Sequence, residues 1–354
     1  MNKQKQKSKV KTPFYRKKGF LWPVGIIIGI VLIILLAFRV SPWPGALIIR
    51  SVFDKGSHKV LVALEAHTTK KPINVITDQQ YRSNDTDAKL DVYYPQDIAN
   101  TNTKLPVVIW THGGAWLSGD KTNVAPYYKL LAEQGFTVIS LNYTLAPDKT
   151  YPTPVFQLND AHKYIVQHAD QFHVDSNKMF FAGDSAGSQL SSQLAALITN
   201  PAYAADVGIT PALSSAQLKG VVLNCGIYKM EGLTQPDPTL PKIVGWGNDV
   251  TVWAYTGTHD YLKDPDVRQM SAYYHATKEF PTTFITGGNG DPLTAEQSKP
   301  FAQKLQSLGV DVTTLFFAAD HQPSLPHEYQ FNLDNSDGQR AFSEIVAFLK
   351  KNSQ

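Results

Sequence analysis

The stretch Gly183–Gly187, "GDSAG", lies between an apolar run, "MFFA", and a segment, "SQLSSQLAALI", whose leucines repeat along one helical face. A strand that turns directly into a helix needs small residues at the turn, because side chains would collide there. The pattern G-x-S-x-G at such a junction holds a serine hydroxyl exposed above a sheet. The alternative is a turn serine that only caps the helix. The stretch therefore predicts a strand, a sharp turn and a helix, with Ser185 as the candidate nucleophile.

Seven further segments predict strands, because each is short, apolar and bounded by polar or glycine turns: "INVITDQQY", "AKLDVYYP", "LPVVIWTH", "FTVISLNY", "LKGVVLNC", "TTFITGG" and "VTTLFFAA". Helical patterns alternate with them, including "APYYKLLAEQG" and "GQRAFSEIVAFLKKN". Continuous apolar strands that alternate with helices indicate a sheet covered on both faces. The sequence thus predicts an α/β fold whose eight-stranded sheet is mostly parallel, with an antiparallel start.

One segment breaks this alternation, residues 228–281, which is rich in Trp, Tyr, Asp and Pro. An insertion at this point predicts a small lid over the carboxyl edge of the sheet, where open α/β sheets bind ligands. Its aromatic residues could line an acyl or aryl pocket, or they could form a small satellite core: Trp246, Trp253, Tyr255 and Tyr261.

A second motif, "HGGAW" at His112–Trp116, follows the third predicted strand. Glycines let backbone N–H groups approach a reacting carbonyl oxygen, and loss of one such donor costs about 100- to 1000-fold in rate. We expect Gly113 and Gly114, with the N–H of Ala186 beside the serine, to form an oxyanion hole, and His112 to hold the loop. The alternative is an ordinary Gly-Gly turn, but such a turn does not explain why "HGGAW" and "GDSAG" both lie at the ends of predicted strands.

Three stretches together, "HGGAWLSGDK", "NYTLAPDKTYPTP" and "GDSAG", resemble the hormone-sensitive-lipase-like group of α/β-hydrolase esterases, which includes bacterial carboxylesterases and feruloyl-esterase-like relatives. The resemblance covers residues 70–350. It implies the α/β-hydrolase fold and a metal-free serine esterase that acts on short acyl or small aromatic esters. The chain departs from the family pattern in two places: Ala115 replaces the third glycine of "HGGG", and "HEYQF" lacks the glycine that often follows the catalytic histidine.

The acid and the base of such a site follow the serine in the order Asp, His. Asp291, in "GGNGDPL", follows the seventh predicted strand, where the family carries its acid; taken alone, the segment is a common turn. Two histidines follow the last strand, His321 and His327, and either loop position could reach the sheet edge. We predict His327, because in the family an aromatic residue closely follows the catalytic histidine, and Tyr329 and Phe331 supply it.

The amino terminus carries a targeting pattern. Residues 1–18 hold seven Lys, one Arg and no acid, and the next twenty residues, Gly19–Phe38, are uncharged. As a helix these twenty would span about 30 Å, the thickness of a bilayer core. The positive-inside rule then predicts a cytoplasmic tail, a single-pass signal anchor and a catalytic domain on the extracellular side of the cell membrane. The alternative, a cleaved signal peptide, needs a shorter apolar core and a small-x-small site, which "LAFRVSPWPGA" lacks.

Residues 39–70 show apolar positions at helical spacing and predict a pair of amphipathic helices broken near Gly56. These could pack on the body, cover it as a lid or lie along the membrane surface. The predicted organisation is a tail at 1–18, an anchor at 19–38, this linker at 39–70 and a catalytic domain at 71–354.

Charge and cysteine content argue against a nucleic-acid-binding protein and against a metal or cofactor site. Without the eight positive charges of the tail, the net charge of +3 becomes −5, so the body has no footprint for nucleic acid. Cys225 is the only cysteine, predicted to be a buried structural thiol, and no His/Asp/Cys cluster has ligand spacing, so neither metal nor cofactor is expected. The expected partners are a small-molecule ester and the membrane. A catalytically inactive surface-binding module and an acyltransferase remain alternatives, and the sequence reveals neither acyl length nor oligomeric state.

Overall fold

A computed structural model describes residues 18–234 and 241–354. In this part of the chain, eight strands form one sheet in the order β1-β2-β4-β3-β5-β6-β7-β8. The strands are β1 (Ile73–Gln80), β2 (Lys89–Pro95), β3 (Leu105–Thr111), β4 (Thr137–Leu141), β5 (Val174–Asp184), β6 (Leu218–Asn224), β7 (Thr283–Gly287) and β8 (Val312–Phe316). Each coincides with a predicted strand.

The sheet is mixed, with the antiparallel part at its start. The pairs β1–β2 and β2–β4 are antiparallel, whereas the pairs from β4–β3 to β7–β8 are parallel. The carboxyl ends of the six strands β3 to β8 therefore lie at one edge. The loops that follow these six strands are the ones that can build a site together.

Helices cover both faces of the sheet. Successive side chains of a strand point to opposite faces. Trp110 of β3 accordingly packs with α3 (Ala125–Glu133) and α12 (Ser336–Asn352), while its neighbour Ile109 packs with the other group of helices. That group is α4 (Thr153–Gln167), α5 (Ala186–Thr199), α6 (Pro201–Val207) and α11 (Lys299–Ser307). Burial on both faces explains why these strands are continuous apolar runs.

The predicted insertion lies between β6 and β7, and its described residues, 228–234 and 241–281, are largely helical. It contains α7 (Glu231–Thr234), α8 (Lys242–Thr256), α9 (Pro265–Gln269) and α10 (Ala272–His275). The Tyr255 ring stacks on Trp116 at 4.7 Å between ring centroids, which fixes α8 above the loop after β3. Trp253, Tyr255 and Tyr261 are buried in the apolar core, whereas Trp246 lines the large cavity described below. Of the four aromatic candidates, Trp246 is therefore the one in a lining position.

Two helices precede the sheet, α1 (Lys18–Val40) and α2 (Trp43–Leu64). Within the described residues, the segment Trp22–Val40 of α1 is the one helix long and apolar enough to cross a membrane, with a mean hydropathy of 2.7. A signal sequence passes the same test of length and composition. The helix continues two residues beyond the predicted end at Phe38.

The predicted break at Gly56 is wrong, because α2 is one continuous helix. A glycine inside a helix costs about 1 kcal/mol relative to alanine, and packing elsewhere along the helix outweighs this cost. Gly45 packs so closely on Val250 of α8 that an added Cβ would lie 2.8 Å from it. The Arg50 guanidinium donates to the carbonyl oxygen of Leu117 at 2.6 Å. These contacts fix α2 to the body.

Candidate active site

The turn after β5 holds Ser185 in a strained conformation. Its backbone has φ 51° and ψ −120°, which residues with a side chain rarely adopt. The flanking glycines permit the turn, because a Cβ on Gly187 would overlap the carbonyl oxygen of Thr111 in β3. The "GDSAG" stretch thus forms the predicted sharp turn, and Ser185 sits at its apex with α5 beginning at the next residue.

Ser185, His327 and Asp291 form a chain of hydrogen bonds. The His327 Nε2 atom lies 3.0 Å from the Ser185 hydroxyl oxygen, and its Nδ1 atom lies 2.8 Å from Asp291 Oδ2. The Asp291 carboxylate is buried, and its other oxygen accepts the N–H of Leu293 at 3.0 Å. The structure therefore brings together the three residues expected to act as nucleophile, base and acid.

The two candidate histidines, His321 and His327, lie in different parts of the loop between β8 and α12. Tyr329 and Phe331 are buried just after His327, and the Tyr329 hydroxyl lies 2.6 Å from the Thr286 hydroxyl, so aromatic packing holds this part of the loop against the sheet. His321 lies elsewhere: its Nε2 atom is 2.8 Å from an Asp337 carboxylate oxygen at the start of α12.

The electrostatic environment favours a proton on His327. Removal from water would lower the pKa of its imidazole, but the hydrogen-bonded Asp291 carboxylate outweighs this effect. The pKa of His327 consequently lies well above its ordinary value. The imidazolium that would form after proton transfer from Ser185 is therefore stabilised.

The prediction for Gly113 needs correction. Its N–H donates to the Asp184 carboxylate at 2.8 Å, so it is engaged and unavailable to a substrate oxygen. The next two residues, Gly114 at φ 102° and Ala115 at φ 54°, line the same cavity as Ser185. No described residue accepts a hydrogen bond from either N–H. Ala115, the departure from the family's third glycine, is thus the donor candidate that replaces Gly113.

The third predicted donor, Ala186, is the first residue of α5. The N–H groups of a helix's first turn have no partner within the helix, and the helix dipole places positive charge there. The Ala186 N–H lies beside Ser185 in sequence and follows the turn directly. Its position is therefore compatible with the predicted role.

His112 is buried and holds the loop after β3 in place. Its Nδ1 atom lies 2.7 Å from the carbonyl oxygen of Gly113, and its ring stacks on Tyr143 at 4.5 Å between centroids. Burial lowers the pKa of His112, which favours the neutral ring. These contacts agree with the predicted structural role.

Two carboxyl groups belong to the site although sequence reasoning passed over them. Asp184 accepts hydrogen bonds from the Trp110 indole N–H at 2.7 Å and from the Gly113 N–H, so it ties the two loops together. Burial, followed by the charge of Glu328, raises the pKa of Asp184 well above its ordinary value. The Glu328 carboxylate lies 3.9 Å from His327 Nε2. The sequence did hold a signal for Asp184, because a charged residue is unexpected inside the small-residue turn "GDSAG".

Cys225 also borders the site. It follows β6, is buried as predicted, and burial raises the pKa of its thiol to about 11. One donor atom each from Cys225, Asp291 and His327 lies within 4.8 Å of the others, so these residues could hold a metal ion. Two of the three already take part in the hydrogen-bond chain to Ser185, so an ion there would compete with that chain. Sequence spacing did not reveal this cluster, because its members come from three separate loops.

A cavity of about 950 Å³ opens onto the Ser185 hydroxyl. Its floor contains the loop residues described above, and its walls come from two helices outside the sheet, α2 and α8. The wall residues are mainly apolar: Ile48, Ile49, Val52, Phe53, Val60, Ile243, Val244 and Trp246. Such a cavity suits an apolar ligand with one polar group near Ser185.

Comparisons with known proteins agree with this geometry. The model of the family described as BD-FAE matches residues 90–305. An esterase of Gibberella moniliformis is 25% identical over 265 residues, which are 73% of this chain and 80% of that protein. Esterase LipC of Mycobacterium tuberculosis is 28% identical over 223 residues, which are 62% of this chain and 52% of that protein. The crystal structure of esterase B from Lactobacillus rhamnosis matches 88% of this chain and 96% of its own with a TM-score of 0.72 at 20% identity, which shows a shared fold.

Proposed function

The chain belongs to the BD-FAE family and is a carboxylic ester hydrolase of the hormone-sensitive-lipase-like group of α/β-hydrolases, and from this premise we propose that Ser185 is its nucleophile. His327 is the general base and Asp291 the acid that orients it. The observation that carries this proposal is the continuous hydrogen-bond chain from Ser185 through His327 to Asp291.

Catalysis follows from the position of each atom. His327 Nε2 accepts the Ser185 proton as the serine oxygen attacks the ester carbonyl carbon, and the carbonyl electron pair moves onto its oxygen. Collapse of this intermediate breaks the bond to the alcohol oxygen, which takes the proton from His327 and leaves. A water molecule then repeats the sequence on the acyl-enzyme and releases the acid. Asp291 accepts the hydrogen bond from Nδ1–H and so orients and stabilises the imidazolium.

The oxyanion is held by backbone donors. We assign this role to the N–H groups of Gly114, Ala115 and Ala186. Preorganised donors of this kind act where negative charge develops, so each is worth about 100- to 1000-fold in rate. Asp184 supports them indirectly, because its carboxyl fixes Gly113 and with it the start of the loop.

The substrate class proposed is short-chain or small aromatic carboxylic esters, because the cavity walls are apolar and the polar groups gather at Ser185. The test combines turnover of a chromogenic butyrate ester with labelling by a fluorophosphonate probe. We expect hydrolysis and a single adduct on the peptide that contains Ser185. An unlabelled protein without turnover would identify an inactive binding module, and acylated acceptor in place of free acid would identify a transferase.

The pH profile reports on His327. Only the neutral imidazole can accept the Ser185 proton, and the pKa of His327 is raised above the ordinary value of 6.5. We therefore expect kcat/KM for an uncharged ester to rise about tenfold per pH unit as pH increases, up to a midpoint above that value. Steady-state kinetics across the pH range, with circular dichroism to confirm a folded protein, measure the midpoint. A midpoint at or below 6.5 would contradict the raised pKa of His327.

We also propose that the protein is anchored in the cell membrane, with residues 1–18 in the cytoplasm, an anchor at 19–38 and the body outside. The apolar segment Trp22–Val40 and the basic residues before it support this arrangement. Residues 39–70 then connect the anchor to a catalytic domain at 71–354 that includes the insertion at 228–281.

The orientation predicts protease sensitivity. Proteinase added to intact cells should remove most of the esterase activity, because the body lies outside, while a cytoplasmic marker enzyme keeps its activity. Cells treated after lysis provide the control in which both activities are lost. Activity that survives in intact cells and disappears only on lysis would place the body in the cytoplasm.

A further inference from the structure

Five apolar side chains surround the mouth of the cavity and face water. Each lines the cavity that holds Ser185 and is also well exposed: Ile48 (48%), Val52 (64%), Phe53 (41%), Ile243 (68%) and Val244 (39%). We call these five residues the apolar collar. Contiguous exposed apolar residues of this kind mark interaction surfaces, whereas isolated ones need no explanation.

The collar is firmly mounted on the body. Its first three residues belong to α2, which Arg50 ties to the loops after β3 and β4 through the carbonyl oxygens of Leu117 and Ala146. Its other two residues belong to the first turn of α8, and α8 packs against α2 where Val250 contacts Gly45. The two helices therefore present the collar as one surface that surrounds the cavity mouth.

The collar is joined to the candidate anchor by a very short connection. Helix α1 ends at Val40 and α2 begins at Trp43, so their Cα atoms are at most about 11 Å apart. Trp43 is 40% exposed, and tryptophan favours the membrane–water interface. From Trp43 to Phe53, α2 rises about 15 Å. If α1 crosses a bilayer, the cavity mouth consequently lies close to the surface of that bilayer.

We propose that the apolar collar docks on the bilayer that α1 crosses, and that ester substrates enter the cavity from the lipid phase. This inference rests on the proposed esterase function and on the proposed anchor. Among the proposed short-chain and small aromatic esters, the substrates are then those lipophilic enough to dissolve in the membrane. The bilayer is the occupant the observations favour over a second copy of the chain, because three of the five collar residues lie on the helix that directly follows the candidate anchor, and the collar opens to the Ser185 cavity.

The first test measures contact with lipid and needs no catalysis. Cys225 is the only native cysteine and is buried, so V52C and I243C can each be labelled with an environment-sensitive fluorophore. L262C is the matched control, since Leu262 is 62% exposed but does not line the cavity. In full-length protein reconstituted in phosphatidylcholine vesicles, brominated lipid should quench the labels at 52 and 243 by about twofold or more relative to 262.

Equal quenching at all three positions would overturn the docking proposal. A second result would also overturn the docking proposal. If the collar labels already show shifted fluorescence in lipid-free detergent and the protein sediments as a dimer, the collar contacts a second copy of the chain.

The second test measures the route of the substrate. For Val52→Glu, the rate on umbelliferyl butyrate dissolved in vesicles, divided by the rate of the detergent-solubilised protein on the same ester, should fall about tenfold, because a carboxylate at the collar opposes contact with the acyl chains of the bilayer. Leu262→Glu should leave this ratio unchanged. An unchanged ratio in the collar variant would overturn membrane entry. If the unaltered protein fails to hydrolyse this ester even in detergent, the esterase proposal fails, while lipid quenching still decides docking.

Discussion

Replacement of Ser185 by alanine should reduce kcat for a short-chain ester by about 10⁴-fold or more, with no change in the fold. Without the hydroxyl oxygen no acyl-enzyme can form, and His327 loses the group whose proton it accepts. The backbone at this turn already has its strained φ of 51°, and alanine keeps the same Cβ, so the strain does not change. Steady-state turnover and thermal unfolding of the purified variant measure the two effects separately.

A serine one turn further along the helix provides the control. The Ser188 hydroxyl oxygen lies 2.7 Å from the carbonyl oxygen of Gly183 and 2.9 Å from that of Asn224, to one of which it donates, and the hydrogen bonds of His327 go to Ser185 and Asp291 instead. Loss of this buried hydroxyl should destabilise the protein by about 1–3 kcal/mol and leave most of the turnover. If Ser185→Ala unfolds the protein or keeps near-normal turnover while Ser188→Ala is inactive, Ser185 is a structural turn residue.

Much of the fold could be predicted because the physical causes are local. Each strand of the sheet is a short apolar run with a polar or glycine boundary, and burial of both faces requires such runs. The turn at Ser185 was predictable for a similar reason, since only a glycine fits where Gly187 meets the Thr111 carbonyl. Chain order then restricted the acid and base to the loops after β7 and β8.

The features that escaped prediction depend on contacts between distant segments. Gly113 was expected to donate to the substrate, but the Asp184 carboxylate, far along the chain, binds its N–H. Cys225 looked like an ordinary strand end, and only the assembled sheet places it beside His327. The position of α2 over the cavity depends on Arg50 and on α8, neither of which its own helical pattern reveals.

Replacement of each of the two candidate histidines should have a very different effect on turnover. His327→Ala should lower kcat by about 10⁴-fold or more, because Ser185 then lacks a base and the Asp291 carboxylate has no imidazolium to stabilise. His321→Ala should keep near-normal turnover, since its ring pairs with Asp337 and lies outside the cavity. Turnover of a soluble short-chain ester by the two purified variants makes the comparison.

Stability measurements separate a catalytic effect from a structural one, because loss of a loop histidine could reduce activity by unfolding the protein. The His321–Asp337 pair is partly exposed, and pairs of this kind contribute about 0–1 kcal/mol, so His321→Ala should shift the unfolding midpoint only slightly. Tyr329 and Phe331 hold the loop independently of the His327 imidazole, so His327→Ala should remain folded. A folded His327 variant with near-normal turnover, beside an inactive His321 variant, would reverse the assignment. A folded, inactive His327 variant whose fluorophosphonate labelling at Ser185 is also slowed would identify the base, because reaction with the probe needs the same proton transfer as reaction with the ester.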